Sequence, residues 1–267
     1  IYTGEDTLSL HDALPILLIS LGTWQMRRLA WKEDLISKIE ARVHAAPVAL
    51  PDEQSWSKLN PDEYEYRHVT VRGTFEHDKE LLIFRASGPN EGLSQPGYVV
   101  ITPLRMENGA SVLIARGFVP EAFKDPATRP QGQIAGIVTL NGLMRAPEPR
   151  NAFTPADTPE KGLWYTRDPA AMAAALKIAR AAPFSIDADA APVPGGWPKG
   201  GQTTMAIPNN HFSYALTWFG LAITLLIVFG LDGRLQRWEA GVLVAGFVLV
   251  QIVLLRRGRL EAPEIGR

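Results

Sequence analysis

The chain has 267 residues, no cysteine, and 27 basic against 28 acidic residues, which gives a formal net charge of −1. The absence of cysteine excludes disulfides, thiol nucleophiles and thiolate metal sites, and the balanced charge does not favour a nucleic-acid partner. The common enzyme motifs, such as the G-x-S-x-G nucleophile elbow and the H-E-x-x-H metal motif, are missing from the sequence. We therefore expect a protein that is not an enzyme.

The N-terminal residues 1–16 (IYTGEDTLSLHDALPI) do not have the order of basic, apolar and small residues that defines a signal peptide. They resemble translated sequencing-adapter sequence, and we expect them to be a non-native leader. The apolar residues 17–24 are then the remnant of a first transmembrane helix, since a complete span needs about 20 residues. The alternative is a genuine disordered N-terminus.

Residues 25–43 have the periodicity of an amphipathic helix, because apolar residues recur at every fourth position. These apolar residues are Trp31, Leu35, Ile39 and Val43. Charged residues occupy the other faces, so the pattern predicts a helix that continues from the membrane.

Strand patterns dominate the rest of the large central segment. Five stretches bounded by glycine, proline or asparagine are predicted strands: residues 66–75, 80–85, 98–104, 111–118 and 134–144. The alternation in the first of them turns His68 to solvent.

The turns and the one helix between these strands complete the predicted fold. Asn108-Gly109 predicts a hairpin, and the alanine-rich residues 169–182 predict a helix with Asp168 at the N-cap. The fold class is therefore α+β: a strand-rich antiparallel barrel or sandwich over residues 25–210, bracketed by transmembrane helices.

Residues 211–231 predict a transmembrane helix, because no charged residue occurs from Phe212 to Leu231. The tail, residues 232–267, contains a second apolar run at 240–255, which is either a marginal third span or an interfacial or re-entrant helix. Arg234 and Arg237 favour a cytoplasmic position for the loop between the two runs. The strand-rich domain then lies outside the cytoplasm.

His211 lies where the predicted membrane helix meets water, with Tyr214 and Trp218 on the following turns. A neutral imidazole at this depth can coordinate haem iron while an apolar ring system lies among helix side chains. Alternatively, Asn209 or Asn210 caps the helix and the three residues form an interfacial belt that holds the depth of the helix. Spacing alone favours the belt.

Catalytic chemistry has weaker candidates in the central domain. Asp187 and Asp189 can chelate a cation or act as acid and base if they are buried together, and His77 with Asp78 can form an imidazole–carboxylate pair. A membrane-tethered hydrolase or metal enzyme is therefore a further hypothesis. Turns and solvated loops explain the same residues more simply.

Ordered sequence blocks run through most of the chain: LGTWQ at 21–25, GYVVITPL at 97–104, ARGFVP at 115–120, WYTRD at 164–168, PGG at 194–196, GGQT at 200–203 and NHFSYALTW at 210–218. Together they resemble the surfeit locus protein 1 family of cytochrome c oxidase assembly factors. The resemblance implies two transmembrane helices that bracket one domain. It further implies that this domain lies outside the bacterial cytoplasm or in the mitochondrial intermembrane space.

For function, the resemblance implies a factor that binds haem a and helps its insertion into the oxidase catalytic subunit. His211 is then the haem ligand, Trp218 a stacking residue and Tyr214 a further residue of the site. The partners are the catalytic subunit, the haem a synthesis machinery and the lipid bilayer. The alanine-rich composition and the lack of a transit-like leader favour a bacterial inner membrane, with the main domain on the periplasmic side.

The alternative within this family resemblance is a purely structural chaperone that binds no haem. Its outer domain would dock the oxidase subunit through exposed strand edges around Arg116–Pro120, and its spans would only anchor it.

Overall fold

The computed structural model describes residues 10–86, 88, 95–203 and 209–232. The chain forms two compact units, one of residues 38–206 and one of residues 1–37 with 207–267. Residues 1–9 of the predicted leader and residues 233–267, with the predicted membrane helix at 240–255, lie outside the described residues.

Two long helices belong to the unit that contains both chain ends. Helix α1 spans Leu10–Val43, so the end of the predicted leader, the predicted span remnant and the predicted amphipathic helix form one continuous helix. Trp31 on this helix is 48% exposed, and the Arg28 guanidinium lies 3.9 Å from its ring centroid. The predicted apolar face is therefore not buried along its whole length.

The last described helix begins at the sequence junction that holds the candidate histidine, and it spans His211–Asp232. This helix is α4, because two short helices, α2 (Pro61–Tyr64) and α3 (Pro169–Ala175), lie between it and α1 in the chain. Over the described part of the chain, no helix meets the combined length and hydropathy required to span a membrane. The predicted transmembrane helix at 211–231 thus stays a prediction.

The unit of residues 38–206 is built on eight strands and two short helices. The strands are β1 (Val48–Ala49), β2 (His68–Phe75), β3 (Leu81–Arg85), β4 (Gly97–Arg105), β5 (Ser111–Pro120), β6 (Ile137–Arg145), β7 (Leu163–Trp164) and β8 (Ala181–Ala188). The helices are α2 (Pro61–Tyr64) and α3 (Pro169–Ala175). An α+β fold is therefore confirmed.

The eight strands form one mixed sheet in the order β1-β2-β6-β8-β5-β4-β3-β7. Three pairings are parallel, namely β1 with β2, β5 with β8, and β3 with β7. A short additional pairing joins β2 to β4 through Thr74 with Arg105 and Phe75 with Leu104, so the sheet is strongly curled. The predicted antiparallel barrel or sandwich is thus corrected to one curled sheet of mixed direction.

Strand β5 is the centre of this sheet, and all ten of its residues are buried. Because side chains alternate along a strand, Val112 and Ile114 pack into the core around Phe184, while Leu113 packs into a second core around Met172. The prediction of an exposed docking edge at Arg116–Pro120 is therefore wrong, since these residues are buried, with β4 on one side and Lys199 bridged to Phe118 on the other.

The predicted hairpin at Asn108-Gly109 is confirmed between β4 and β5. Gly109 adopts a φ of 82°, and the Asn108 side chain accepts a hydrogen bond of 3.0 Å from the amide of Ala110. The predicted N-cap is also present, because Asp168 Oδ1 accepts a 3.0 Å hydrogen bond from the amide of Ala171.

The predicted alanine-rich helix at 169–182 is wrong in its second half, because α3 ends at Ala175 and β8 begins at Ala181. Pro183 has no amide hydrogen and does not fit a helix interior. Beyond it, Phe184 and Ile186 alternate toward the core, so the two-residue period of a strand prevails over alanine's helix propensity.

Gly117 offers a test of the packing against the centre of the sheet. Its φ is 139°, and a β-carbon there would lie 2.0 Å from the carbonyl oxygen of Lys199, which is bonded to the amide of Phe118. We expect Gly117→Ala to lower the free energy of unfolding by roughly 3 kcal/mol or more, by clash and backbone strain together. Chemical denaturation of the full chain measures this change.

The matched control is Gly136→Ala, because Gly136 has a φ of 84° and, apart from its chain neighbours, no described residue has an atom within 4 Å of the position that a β-carbon would take. The Gly136→Ala variant has backbone strain without a clash. We therefore expect its free energy of unfolding to fall by only about 1–2 kcal/mol. Equal losses in the two variants would contradict the close approach of Lys199 to β5.

Candidate functional site

The face of α4 that begins with His211 is defined by helical periodicity. His211, Ala215, Trp218 and Ala222 follow one another at spacings of four, three and four residues, so they lie on one face of the helix. Ala215 and Ala222 are each only 1% exposed, which shows that this face is packed. Tyr214, by contrast, is 54% exposed.

A glycine allows α1 and α4 to approach closely. A β-carbon built on Gly22 would lie 2.6 Å from the ring of Phe219, so only a residue without a side chain fits at this contact. The next turn of α1 carries Trp24 and Gln25, and this close packing brings them to the first residue of α4.

The imidazole of His211 is held from one side by those two residues. Its Nδ1 lies 2.7 Å from Gln25 Oε1, and the ring of Trp24 stands edge-on to it with a centroid distance of 6.4 Å. A carboxamide oxygen only accepts hydrogen bonds, so Nδ1 carries the proton and donates it. Among the described residues, no hydrogen bond to Nε2 accompanies this contact of Nδ1.

This arrangement has the chemistry of an oriented metal ligand. Histidines that bind metals commonly donate the proton of one ring nitrogen to a neighbouring acceptor, which fixes the tautomer and directs the other nitrogen to the metal. The half-buried His211 can therefore hold an iron through Nε2, with Gln25 as its positioning partner.

The predicted site residues have different surroundings in the structure. Trp218 is half-buried and lies seven residues beyond His211, about 10 Å along the helix axis. Tyr214 lies between them and is more exposed than either. The ligand and pocket roles of these three residues stay predictions. Sequence reasoning does not assign roles to Trp24 and Gln25, although both belong to the LGTWQ block.

The predicted acidic pair of the central unit has separate partners. Asp187 is 8% exposed, its Oδ2 lies 2.8 Å from Arg145 Nη1, and its Oδ1 lies 3.0 Å from Arg167 Nη2. Asp189 instead lies 2.7 Å from His68. Each carboxylate is thus neutralised by cations of its own. Over the described ranges, no group of three histidine, aspartate or glutamate residues is placed to hold a metal ion.

His68 does not point to solvent, and that prediction is wrong. Its Nδ1 lies 2.9 Å from the carbonyl oxygen of Ala45, its Nε2 contacts Asp189, and its side chain is only 16% exposed. Burial by itself lowers the pKa of His68, but the bonds to Ala45 and Asp189 outweigh burial and leave the pKa raised. Both acceptors suit a protonated imidazole.

His77, the third residue of the enzyme hypothesis, is also bound to neighbouring groups. Its Nε2 donates to the carbonyl of Ile134 at 2.9 Å, and its Nδ1 lies 3.4 Å from Arg116 Nη1. Arg116 is buried, and this burial lowers its pKa to about 10 even with Glu80 only 3.8 Å away. These bonds give His77 a structural role at the edge of a buried ion cluster.

Comparison with known proteins gives the following findings. The sequence profile of the SURF1 family matches residues 13–223. The chain is 42% identical over 234 residues to surfeit locus protein 1 of Xenopus tropicalis, covering 82% of this chain and 74% of that protein. It is 41% identical over 222 residues to the Homo sapiens protein of the same name, covering 78% and 71%. A SURF1-like protein of Monosiga brevicollis is 40% identical over 225 residues, covering 80% and 82%.

The raised pKa of His68 predicts a pH-dependent contribution to stability. A proton bound more tightly in the folded state stabilises fully below the unfolded pKa, and this stabilisation is lost as pH rises through the folded pKa. We therefore expect His68→Gln to lower the melting temperature more at about pH 5.5 than at about pH 8.5, by the same linkage. Thermal unfolding of the full chain across this range measures the difference.

His44→Gln is the matched control, because His44 is exposed and lies just after the end of α1. The loss in melting temperature of His68→Gln is compared with that of His44→Gln at each pH. A His68→Gln penalty that is constant, or that grows toward alkaline pH, would contradict a protonated His68 in the folded state.

Proposed function

Because the chain belongs to the SURF1 family, we propose that it is a non-enzymatic assembly factor for cytochrome c oxidase. In this proposal the chain binds haem a and helps its insertion into the catalytic subunit of the oxidase. The observation that supports the haem-binding step is the oriented imidazole of His211, whose Nδ1 lies 2.7 Å from Gln25 Oε1.

The residues of the candidate site fit an axial ligand of haem iron. Haem a would supply an iron that an imidazole nitrogen can bind. His211 offers Nε2 to that position, and Gln25 keeps the imidazole in the required tautomer. The half-buried Trp218, on the same helix face, is the proposed stacking residue, with Tyr214 as a further residue of the site.

Delivery of haem a to the oxidase limits how tightly the chain can bind it. A factor that binds haem a too tightly cannot release it, so one axial histidine beside an apolar helix suits delivery better than an enclosed site with two ligands. His211 would then be the one residue of the chain that holds the iron during delivery.

The proposed location is a bacterial inner membrane, with the strand-rich unit on the periplasmic side. The uncharged run from Phe212 to Leu231 supports an anchor there, and Arg234 and Arg237 support a cytoplasmic loop after it. The chain would meet the oxidase catalytic subunit, the haem a synthesis machinery and the lipid bilayer there. These are its proposed partners.

A purely structural docking role is the second candidate, and one exposed side chain favours it. Phe153 lies between β6 and β7 and is 94% exposed, although aromatic rings are usually buried. In this alternative the chain docks the catalytic subunit through Phe153 and binds no haem. Phe153→Ser would then impair oxidase assembly, while His211→Ala would leave it intact.

The test of haem binding uses the full chain, produced together with enzymes that make haem a and purified in detergent. We expect His211→Ala to lower the ratio of haem to protein in the visible spectrum by roughly tenfold, because the axial ligand is lost. His44→Ala is the matched control, since it removes an exposed histidine outside α4. Equal haem content in wild type and His211→Ala would remove His211 from the ligand role.

Gln25 is a positioning residue, and its variants separate orientation from ligation. Gln25→Ala removes the acceptor of the Nδ1 proton, so we expect haem affinity to fall about tenfold, as for other outer-shell partners. Gln25→Glu keeps an acceptor oxygen and should retain binding while shifting the absorption maxima, because a carboxylate makes the imidazole more basic. Unchanged spectra and affinity in both variants would contradict this role.

A further inference from the structure

A small pocket in the unit of residues 38–206 lies outside the site described above. It opens between β4, β5 and β8, beside the segment that follows β8. Its apolar walls include Val99, Ala115 and Ala188, and its polar end includes Arg167, Asp187 and Thr203.

Arg167, one of the residues that line this pocket, carries unmet hydrogen-bond donors. The residue is only 5% exposed, and its Nη2 lies 3.0 Å from Asp187 Oδ1. Its Nε and Nη1 are fully buried, and within the described ranges neither has a hydrogen-bond partner. Buried donors of a charged group without acceptors are costly, so a ligand that supplies an acceptor is stabilised here.

Asp187 brings an unmet acceptor to the same place. Its Oδ2 takes hydrogen bonds from Arg145 Nη1 at 2.8 Å and from Thr203 Oγ1 at 2.9 Å. Its Oδ1 is close to Arg167 Nη2, but the N–H direction does not make a hydrogen bond, and in the described part of the chain Oδ1 has no other partner. The pocket therefore presents donors and an acceptor side by side.

The surrounding charges decide between an ionic and a neutral ligand. The two charged lining residues, Arg167 and Asp187, belong to one connected network of three guanidinium groups and three carboxylates: Arg85, Arg145, Arg167, Glu65, Glu148 and Asp187. This network is already neutral, so an anion or a cation would bring a buried charge without a counter-charge. A neutral group that both accepts and donates is favoured.

We propose that this pocket binds a primary carboxamide. The carboxamide oxygen accepts from Arg167, its NH₂ group donates to Asp187 Oδ1, and a short aliphatic stem lies against Val99, Ala115 and Ala188. Such a group occurs on an asparagine or glutamine side chain of a polypeptide and on a free small amide. The proposal requires neither haem nor His211.

The probe is propionamide, with propionate as the charged analogue of the same shape. We expect propionamide to shift the backbone amide resonances of Val99 and Thr203 in the full-length chain in detergent, and to bind roughly tenfold tighter than propionate. Equal binding of the two probes, or no shift at these residues at any concentration that leaves the chain folded, would overturn the proposal.

A second pair of probes distinguishes the source of the carboxamide. N-acetyl-Gly-Gln-Gly-N-methylamide carries one primary carboxamide on a polypeptide, and its glutamate analogue carries none. Tighter binding of the glutamine peptide than of propionamide points to a polypeptide partner, and weaker binding points to a free amide. Equal binding of the glutamine and glutamate peptides would contradict carboxamide recognition.

Two variants of the pocket residues test the proposal. Each is paired with a control variant, so that a loss of binding can be told apart from a loss of folding. Arg167→Lys removes the unmet donors, with Arg180→Lys as the control for the loss of an exposed guanidinium. Ala188→Val fills the pocket and leaves the ion network in place, with the exposed Ala174→Val as its control. We expect each pocket variant to weaken propionamide binding by roughly tenfold and neither control to do so. Unchanged binding in a folded Ala188→Val chain would overturn the proposal.

Discussion

The hydrogen bond between His211 Nδ1 and Gln25 Oε1 is the constraint on which the proposed function depends. It joins the first residue of α4 to α1 at 2.7 Å and fixes which imidazole nitrogen keeps its lone pair. The contact exists because Gly22 lets Phe219 pack directly against α1. Close helix packing and ligand orientation are therefore parts of one arrangement, and the loss of either would leave an ordinary exposed histidine.

Buried charge is the second constraint, and it acts within residues 38–206. The Glu148 carboxylate lies 2.8 Å from Arg85 and accepts a 3.0 Å bond from the amide of Arg167. Burial by itself raises the pKa of Glu148, but the two arginines outweigh burial and leave the pKa lowered. A network of this kind is stable only when nearly every polar atom has a partner. Arg167 and Asp187 have buried polar atoms without a hydrogen-bond partner among the described residues, and a ligand is therefore expected beside them.

Part of the fold is predictable because a strand such as β2 alternates between buried and less buried residues, although β5 is buried along its whole length. Sequence reasoning fails where the deciding contact is distant: Gln25 meets His211 across 186 positions, and no local pattern marks that pair. The wrong prediction for His68 has the same cause, since its partner Asp189 lies 121 positions away. The error after Ala175 has a local conformational cause, because Lys177 adopts a non-helical φ of 56° that the alanine-rich composition does not predict.

The most direct test of the haem-binding proposal is to detect the ligating nitrogen itself. The full chain, labelled with ¹⁵N only in histidine and loaded with oxidised haem a, is measured by electron–nuclear double resonance. A strong histidine ¹⁵N hyperfine coupling, absent when His211 alone is replaced by alanine, is the expected result. Bound haem a without any histidine ¹⁵N coupling in the wild-type chain would contradict ligation by His211.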